Sequence, residues 1–102
     1  MNNLQWLQEW LLKNCYIDSD HFYGISIETI DNPGWHIRIQ LEDTILNKEV
    51  FEKTVIQRED EDDWLHCKVE NGVFDGNCGP RNLEEIILVF RKWVSKIEQN
   101  IE

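Results

Sequence analysis

The chain has 102 residues and a mass of 12.3 kDa, a length that suits one domain and excludes a multidomain enzyme. Hydrophobic residues make up 41% of the sequence and aromatic residues 11%, which is enough for a packed core. Twenty acidic residues against 10 basic ones give a formal net charge of -10. Because nonspecific binding to nucleic acid or anionic lipid depends on cationic surface, this charge argues against both partners.

The first predicted element is an amphipathic helix over residues 3–14. Three leucines spaced three and four residues apart share one helical face, and Trp6 and Trp10 widen that apolar surface. We expect the two indole rings to cover the core rather than to form a ligand platform. The leucines are Leu4, Leu7 and Leu11.

Two strands are predicted next, because apolar and polar residues alternate over residues 22–30 and again over residues 35–41. The tetrad Asp-Asn-Pro-Gly at residues 31–34 separates them, and its residue types favour a turn between antiparallel strands. The second segment has the most regular alternation in the sequence.

Three further strands are predicted in the middle of the chain. Residues 50–58 have the β-branched and aromatic content of a strand, and residues 64–70 alternate again. Asn71-Gly72 is a strong hairpin signal, and it returns the chain into a short fifth strand.

The last predicted element is a helix from Leu83 to about residue 98, with an apolar stripe of the width expected for a core-facing helix. Asn82 and Glu85, three residues apart, resemble a capping box at its start. The expected fold class is α+β: one domain over residues 1–102, with an antiparallel meander sheet of four to five strands and the N-terminal and C-terminal helices packed on one face.

If both helices cover the face that contains Ile25, Ile37 and Leu65, the other face of the sheet is open to solvent. That face is expected to present Ser26, Glu28, His36, Arg38, Gln40, Trp64, His66, Lys68 and Glu70.

The negative charge is concentrated in the first part of the sequence. Residues 1–63 contain 14 acidic and 5 basic residues, whereas residues 64–102 contain 6 and 5. The densest segment is residues 59–63, five consecutive carboxylates that repel one another and favour an exposed, extended loop. Trp64 follows directly, and an aromatic side chain beside charge is typical of protein-binding hot spots.

The cysteines Cys15, Cys67 and Cys78 form no C-x-x-C pair and are odd in number. Free, buried thiols are therefore expected. The N-terminus has no signal-peptide pattern and no segment is long and apolar enough to span a membrane, so we expect a cytoplasmic protein.

No segment has the spacing of a known catalytic, cofactor-binding or metal-binding motif, and none is predicted. Adjacent His66 and Cys67 point to opposite sides of a strand and cannot act as base and nucleophile. A calcium loop that starts at Asp60 would need glycine and glutamate where Leu65 and Asn71 stand.

Four segments carry a family resemblance: LQWLQEW at residues 4–10, YGISIETIDNPGW at 23–35, DDWLHC at 62–67 and GPRNLEEI at 79–86. Together they resemble the bacterial immunity protein 53 family over almost the whole chain. The resemblance implies an antitoxin: a non-enzymatic protein without a cofactor that binds the toxin domain of a polymorphic toxin system.

The resemblance and the charge together favour stoichiometric inhibition of a toxin that acts in the cytoplasm. A basic toxin domain is expected, with a nuclease favoured because nucleic-acid clefts are basic. Two alternatives stay open: a small metal-dependent hydrolase that uses the acidic loop and the His36/His66 face, and an acidic adaptor protein. The expected toxin contacts are Asp31, Trp35, Glu59, Asp60, Glu61, Asp62, Asp63 and Trp64.

Overall fold

The computed structural model describes residues 1–14 and 24–100. This part of the chain has two helices and five strands, which confirms the predicted α+β class with a helix at each end. The start predicted for the first strand, at residues 22 and 23, lies outside the described residues. The elements are α1 (Asn3–Asn14), β1 (Ile25–Ile30), β2 (Gly34–Gln40), β3 (Thr54–Gln57), β4 (Trp64–Glu70), β5 (Val73–Cys78) and α2 (Leu83–Gln99).

The five strands form one antiparallel sheet in the order β1-β2-β5-β4-β3. The β1–β2 pair and the β3–β4–β5 unit are each meanders, but residues 41–53 carry the chain across the sheet between them, so β5 rather than β3 pairs with β2. The β4–β5 hairpin closes as predicted, since Asn71 and Gly72 have φ values of 55° and 75° that match a type I′ turn.

Both helices pack on the same face of the sheet, around the fully buried Phe90 of α2. The Phe90 ring lies 5.0 Å from that of Phe74 on β5 and 5.1 Å from that of Trp10 on α1, measured between centroids. These rings tilt or meet edge to face, as aromatic pairs in protein cores prefer. The core is therefore continuous from α1 through α2 to the middle of the sheet.

Helix α1 buries a narrower leucine surface than the sequence predicts. Leu7 is 3% exposed and Trp10 4%, but Leu4 and Leu11 are 52% and 37% exposed. The helix is turned so that Trp10 and the half-buried Trp6 meet Phe90, because two indole rings cover more apolar area than two leucines. The expectation that these tryptophans cover the core is confirmed.

The other face of the sheet is covered by no helix or strand among the described residues, and we call it the open face. Its side chains come from alternate positions of each strand, as predicted, and β5 adds Asp75 and Asn77. Neither of the two described helices is long and apolar enough to cross a membrane.

Candidate functional site

Three connections meet at one end of the sheet because β1, β3 and β5 all run towards it. They are the turn at residues 31–33, the turn at residues 58–63 and the loop at residues 79–82. Together with the first turn of α2 they form what we call the acidic end, which contains eight carboxylates and two arginines. These are Asp31, Glu59, Asp60, Glu61, Asp62, Asp63, Glu84 and Glu85, with Arg58 and Arg81.

A network of charged and polar contacts joins the turn at residues 58–63 to α2. Arg58 donates to both carboxylate oxygens of Glu85, at 3.0 and 2.6 Å, and to Asp63 Oδ1 at 2.9 Å. The Asn82 amide Nδ2 donates to the same two carboxylates, at 2.9 Å to Asp63 and 3.0 Å to Glu85. We call these four side chains the Arg58 network.

The network shifts the pKa values of its acidic members. The hydrogen bond from Asn82, followed by that from Arg58, lowers the pKa of Asp63, and the Arg58 pair lowers the pKa of Glu85. The same two carboxylates raise the pKa of the Arg58 guanidinium. All three groups are therefore ionised at neutral pH. The stabilisation by the two carboxylates is present above their usual pKa range and is lost as the pH falls through the lowered values.

Asn82 is 5% exposed, and its role differs from the predicted capping box. Its side chain makes no cap hydrogen bond, and Glu85 accepts from the Asn82 amide rather than from its backbone N–H. The reason is electrostatic: two carboxylates held by Arg58 attract the amide N–H groups and repel the amide oxygen.

The Asn82 amide oxygen has no hydrogen-bond partner within the described ranges. It lies against Gly79, where an added Cβ would be 2.7 Å from this oxygen and would collide with the Asp62 carbonyl. The close packing of these three residues therefore requires glycine at position 79.

The turn at residues 58–63, which we call the acidic turn, is folded. The sequence predicted an extended loop for its carboxylates, and this prediction is wrong. Asp63 N donates to Asp60 O at 2.9 Å, Asp62 N donates to Asp60 Oδ1 at 2.9 Å, and Arg58 N donates to Asp63 O at 3.1 Å. These bonds and the nearby guanidinium offset the repulsion among the carboxylates. The carboxylates of Glu59, Asp60, Glu61 and Asp62 are exposed, and no basic group of residues 1–14 or 24–100 lies within 4.0 Å of them.

The structure places all the predicted contact residues in the acidic end or directly beside it, but it gives three of them different surroundings. Trp64 is half-buried on the open face, with its ring centroid 5.1 Å from that of His66. Trp35 packs against the core on the helix-covered face and donates from Nε1 to Pro80 O at 3.0 Å. Asp63 belongs to the Arg58 network. Trp64 thus lies on the face that no described helix covers, whereas Trp35 supports the loop at residues 79–82.

The thiols of Cys67 and Cys78 are free and buried, as expected, whereas Cys15 lies outside the described residues. Burial raises the pKa of each described thiol to about 11, so both are protonated and weakly nucleophilic at neutral pH.

His36 and His66, which the hydrolase alternative uses, lie on the open face two strands apart with Asn77 between them, about 10 Å from one Cα to the other. His36 Nε2 is hydrogen bonded to Asp75 Oδ1 at 2.7 Å. Over the described part of the chain, no group of three or more His, Cys, Asp or Glu side chains could hold a metal ion.

The fold and the site define a small acidic α+β domain with a folded anionic surface at one end of its sheet. The family model of immunity protein 53 matches residues 4–95, and the chain belongs to this family. Membership implies a role in toxin immunity, with a cognate toxin protein as the partner. Comparison with curated proteins gave no match, and neither did comparison with solved structures.

Proposed function

We propose that this protein neutralises a cognate bacterial toxin domain by binding it stoichiometrically through the acidic end. Family membership carries the proposal, because an immunity protein acts on a toxin. The acidic end supports this choice of surface, since it holds eight of the 20 acidic residues and only two of the 10 basic ones.

In this proposal the exposed carboxylates of the acidic end face a basic toxin surface. Asp31 and residues 59–62 make the charged contacts, and Trp64 provides an aromatic anchor beside them. Trp35 and Asp63 act indirectly by holding the surrounding loops in place. Because the Arg58 network orders the turn before binding, less conformational entropy is lost on association.

A nuclease is the toxin class that fits such a surface best. An enzyme that binds phosphate groups needs a cationic cleft, and a dense anionic surface is attracted to the same cleft over long distances. Bound there, the immunity protein would exclude the nucleic acid from the cleft. The encounter would take place in the cytoplasm, where free thiols such as Cys67 and Cys78 persist.

Co-expression with the toxin domain encoded by the adjacent open reading frame tests this function. We expect growth to be rescued and the two purified proteins to form a one-to-one complex in size-exclusion chromatography with light scattering. A catalytically inactive toxin variant serves as the expression control. Rescue without a complex would contradict stoichiometric binding, and a complex without rescue would favour the adaptor alternative.

A further inference from the structure

The open face changes its charge along β4, starting from the acidic turn. The outward-facing residues of this strand are Trp64, His66, Lys68 and Glu70, spaced by about 7 Å along the strand. The strand therefore leads from a group of carboxylates, past two aromatic rings in contact, to the ammonium group of Lys68, which is followed by the carboxylate of Glu70.

A cavity of about 230 Å³ lies beside Lys68 of β4, and we call it the lysine pocket. Lys53, which immediately precedes β3, and Lys68 on β4 both line it, so two lysines border one concave site. The other lining residues are His66, Cys67, Asp75 and Asn77.

The positive charge of the lysine pocket is only partly compensated. Lys68 Nζ lies 3.6 Å from Glu70, and both side chains are about half exposed, so this pair is weak. No carboxylate in the described ranges lies within 4.0 Å of Lys53. Asp75, the acidic member of the lining, is hydrogen bonded to His36 on the neighbouring strand. Within the described residues Lys53 therefore has no ion-pair partner and Lys68 has a weak one, which leaves both lysines available to a carboxylate from outside the molecule.

We propose that the lysine pocket binds a carboxylate side chain of the same toxin domain whose basic surface meets the acidic end, an inference that rests on the proposed function. The carboxylates of the acidic turn and the two lysines of the pocket are groups of opposite sign on one continuous surface, with Trp64 and His66 between them, so a toxin surface of complementary charges can pair with both. A single charged patch attracts a partner in many orientations, whereas two patches of opposite sign select one. The toxin surface that fits has basic residues followed by an acidic residue.

The double variant Lys53→Glu/Lys68→Glu tests the lysine pocket against the purified toxin domain. The matched control is Lys92→Glu/Lys96→Glu on the exposed side of α2, because both variants change the net charge by -4, from -10 to -14. Long-range attraction to a basic toxin rises equally in both, so the association rates should change alike.

The dissociation rate separates the two variants. We expect it to rise about tenfold for the pocket variant and to stay within about twofold for the control, as measured by surface plasmon resonance. The milder Lys53→Gln/Lys68→Gln variant should give about a threefold rise, and circular dichroism checks that all variants are folded.

Equal dissociation rates for the pocket variants and the control would overturn the inference. Two other results would contradict the proposed function itself. In the first, wild-type protein does not bind the toxin; in the second, neutral substitutions at residues 59–62 leave the association rate unchanged. In either of those cases the inference is overturned with it.

Discussion

The two ends of the sheet both carry acidic residues, but they are held together by different forces. At the opposite end, formed by residues 41–53 and 71–72, Leu41 and Leu46 are fully buried and Trp93 Nε1 donates to Val50 O at 2.9 Å. Apolar burial anchors this end, and its carboxylates are spread along the chain. At the acidic end, the Arg58 network anchors a turn of consecutive carboxylates.

In the proposed function, local arrangement, more than charge alone, distinguishes the toxin-binding surface from a solvated one. An apolar anchor fixes the backbone but leaves the charged side chains free. An ionic anchor such as the Arg58 network fixes the acidic turn. It also determines where the unpaired carboxylates of that turn lie, because repulsion and hydrogen bonding both act on the carboxylates. Substitutions in each anchor can therefore separate stability from binding.

The largest effect is expected from Leu46→Ala at the opposite end. Removing a fully buried leucine leaves a cavity and should lower the free energy of unfolding by about 3.5 kcal/mol. Chemical denaturation measures this loss, and toxin affinity of the folded protein should not change. The neighbouring Ile45, 44% exposed, provides the control Ile45→Ala, with a loss below about 1 kcal/mol. Equal losses of unfolding free energy for the two variants would contradict the conclusion that apolar burial anchors the opposite end.

A smaller loss is expected from Asn82→Asp in the Arg58 network. The substitution keeps the side-chain shape but replaces two N–H donors with a third carboxylate beside Asp63 and Glu85. The free energy of unfolding should fall by about 2.5 kcal/mol at pH 7. The control Asn71→Asp adds the same charge at the β4–β5 hairpin, where aspartate is equally suited to the turn, and should change stability by less than about 0.5 kcal/mol.

Denaturation curves of both aspartate variants at pH 7 measure the two losses of unfolding free energy. Similar stability for the two would mean that the Asn82 contacts do not hold the acidic end.

Trp64→Ala tests whether this side chain anchors the toxin or only covers the sheet. As a hot spot it should contribute about 2 kcal/mol to binding, so truncation should accelerate dissociation about 30-fold. Because Trp64 is only half-buried, the loss of folding stability should be smaller, about 1 kcal/mol. The control Val50→Ala truncates an apolar side chain that is 87% exposed at the opposite end. A loss of stability without faster dissociation would assign Trp64 to the fold.

Much of the fold could be predicted from local patterns in the sequence. The apolar stripe of α2, the alternation in β2 and the Asn71-Gly72 turn each depend on residues a few positions apart, so their signals survive in a single sequence. The pairing of β2 with β5 could not be predicted in this way, because it depends on where residues 41–53 cross the sheet.

The acidic end was predictable as a set of residues but not as an arrangement. The carboxylates and Trp64 are evident in the sequence, whereas Arg58 and Glu85 are 27 positions apart and Asn82 and Asp63 are 19 apart. The Asn82/Glu85 spacing was visible, yet it suggested a helix cap because only the folded chain brings Arg58 and Asp63 beside it.

The central claim is that the carboxylates of the acidic turn guide the toxin to this surface. The direct test compares the association rate at several salt concentrations for wild type and for Glu59→Gln/Asp60→Asn/Glu61→Gln/Asp62→Asn. The control is Glu42→Gln/Asp43→Asn/Glu49→Gln/Glu52→Gln, which makes the same charge change, from -10 to -6, at the opposite end.

We predict that the acidic-turn variant associates about tenfold more slowly at low salt and depends less on salt, whereas the control stays within about threefold of wild type. Equal association rates and equal salt dependence for the two variants would contradict the claim.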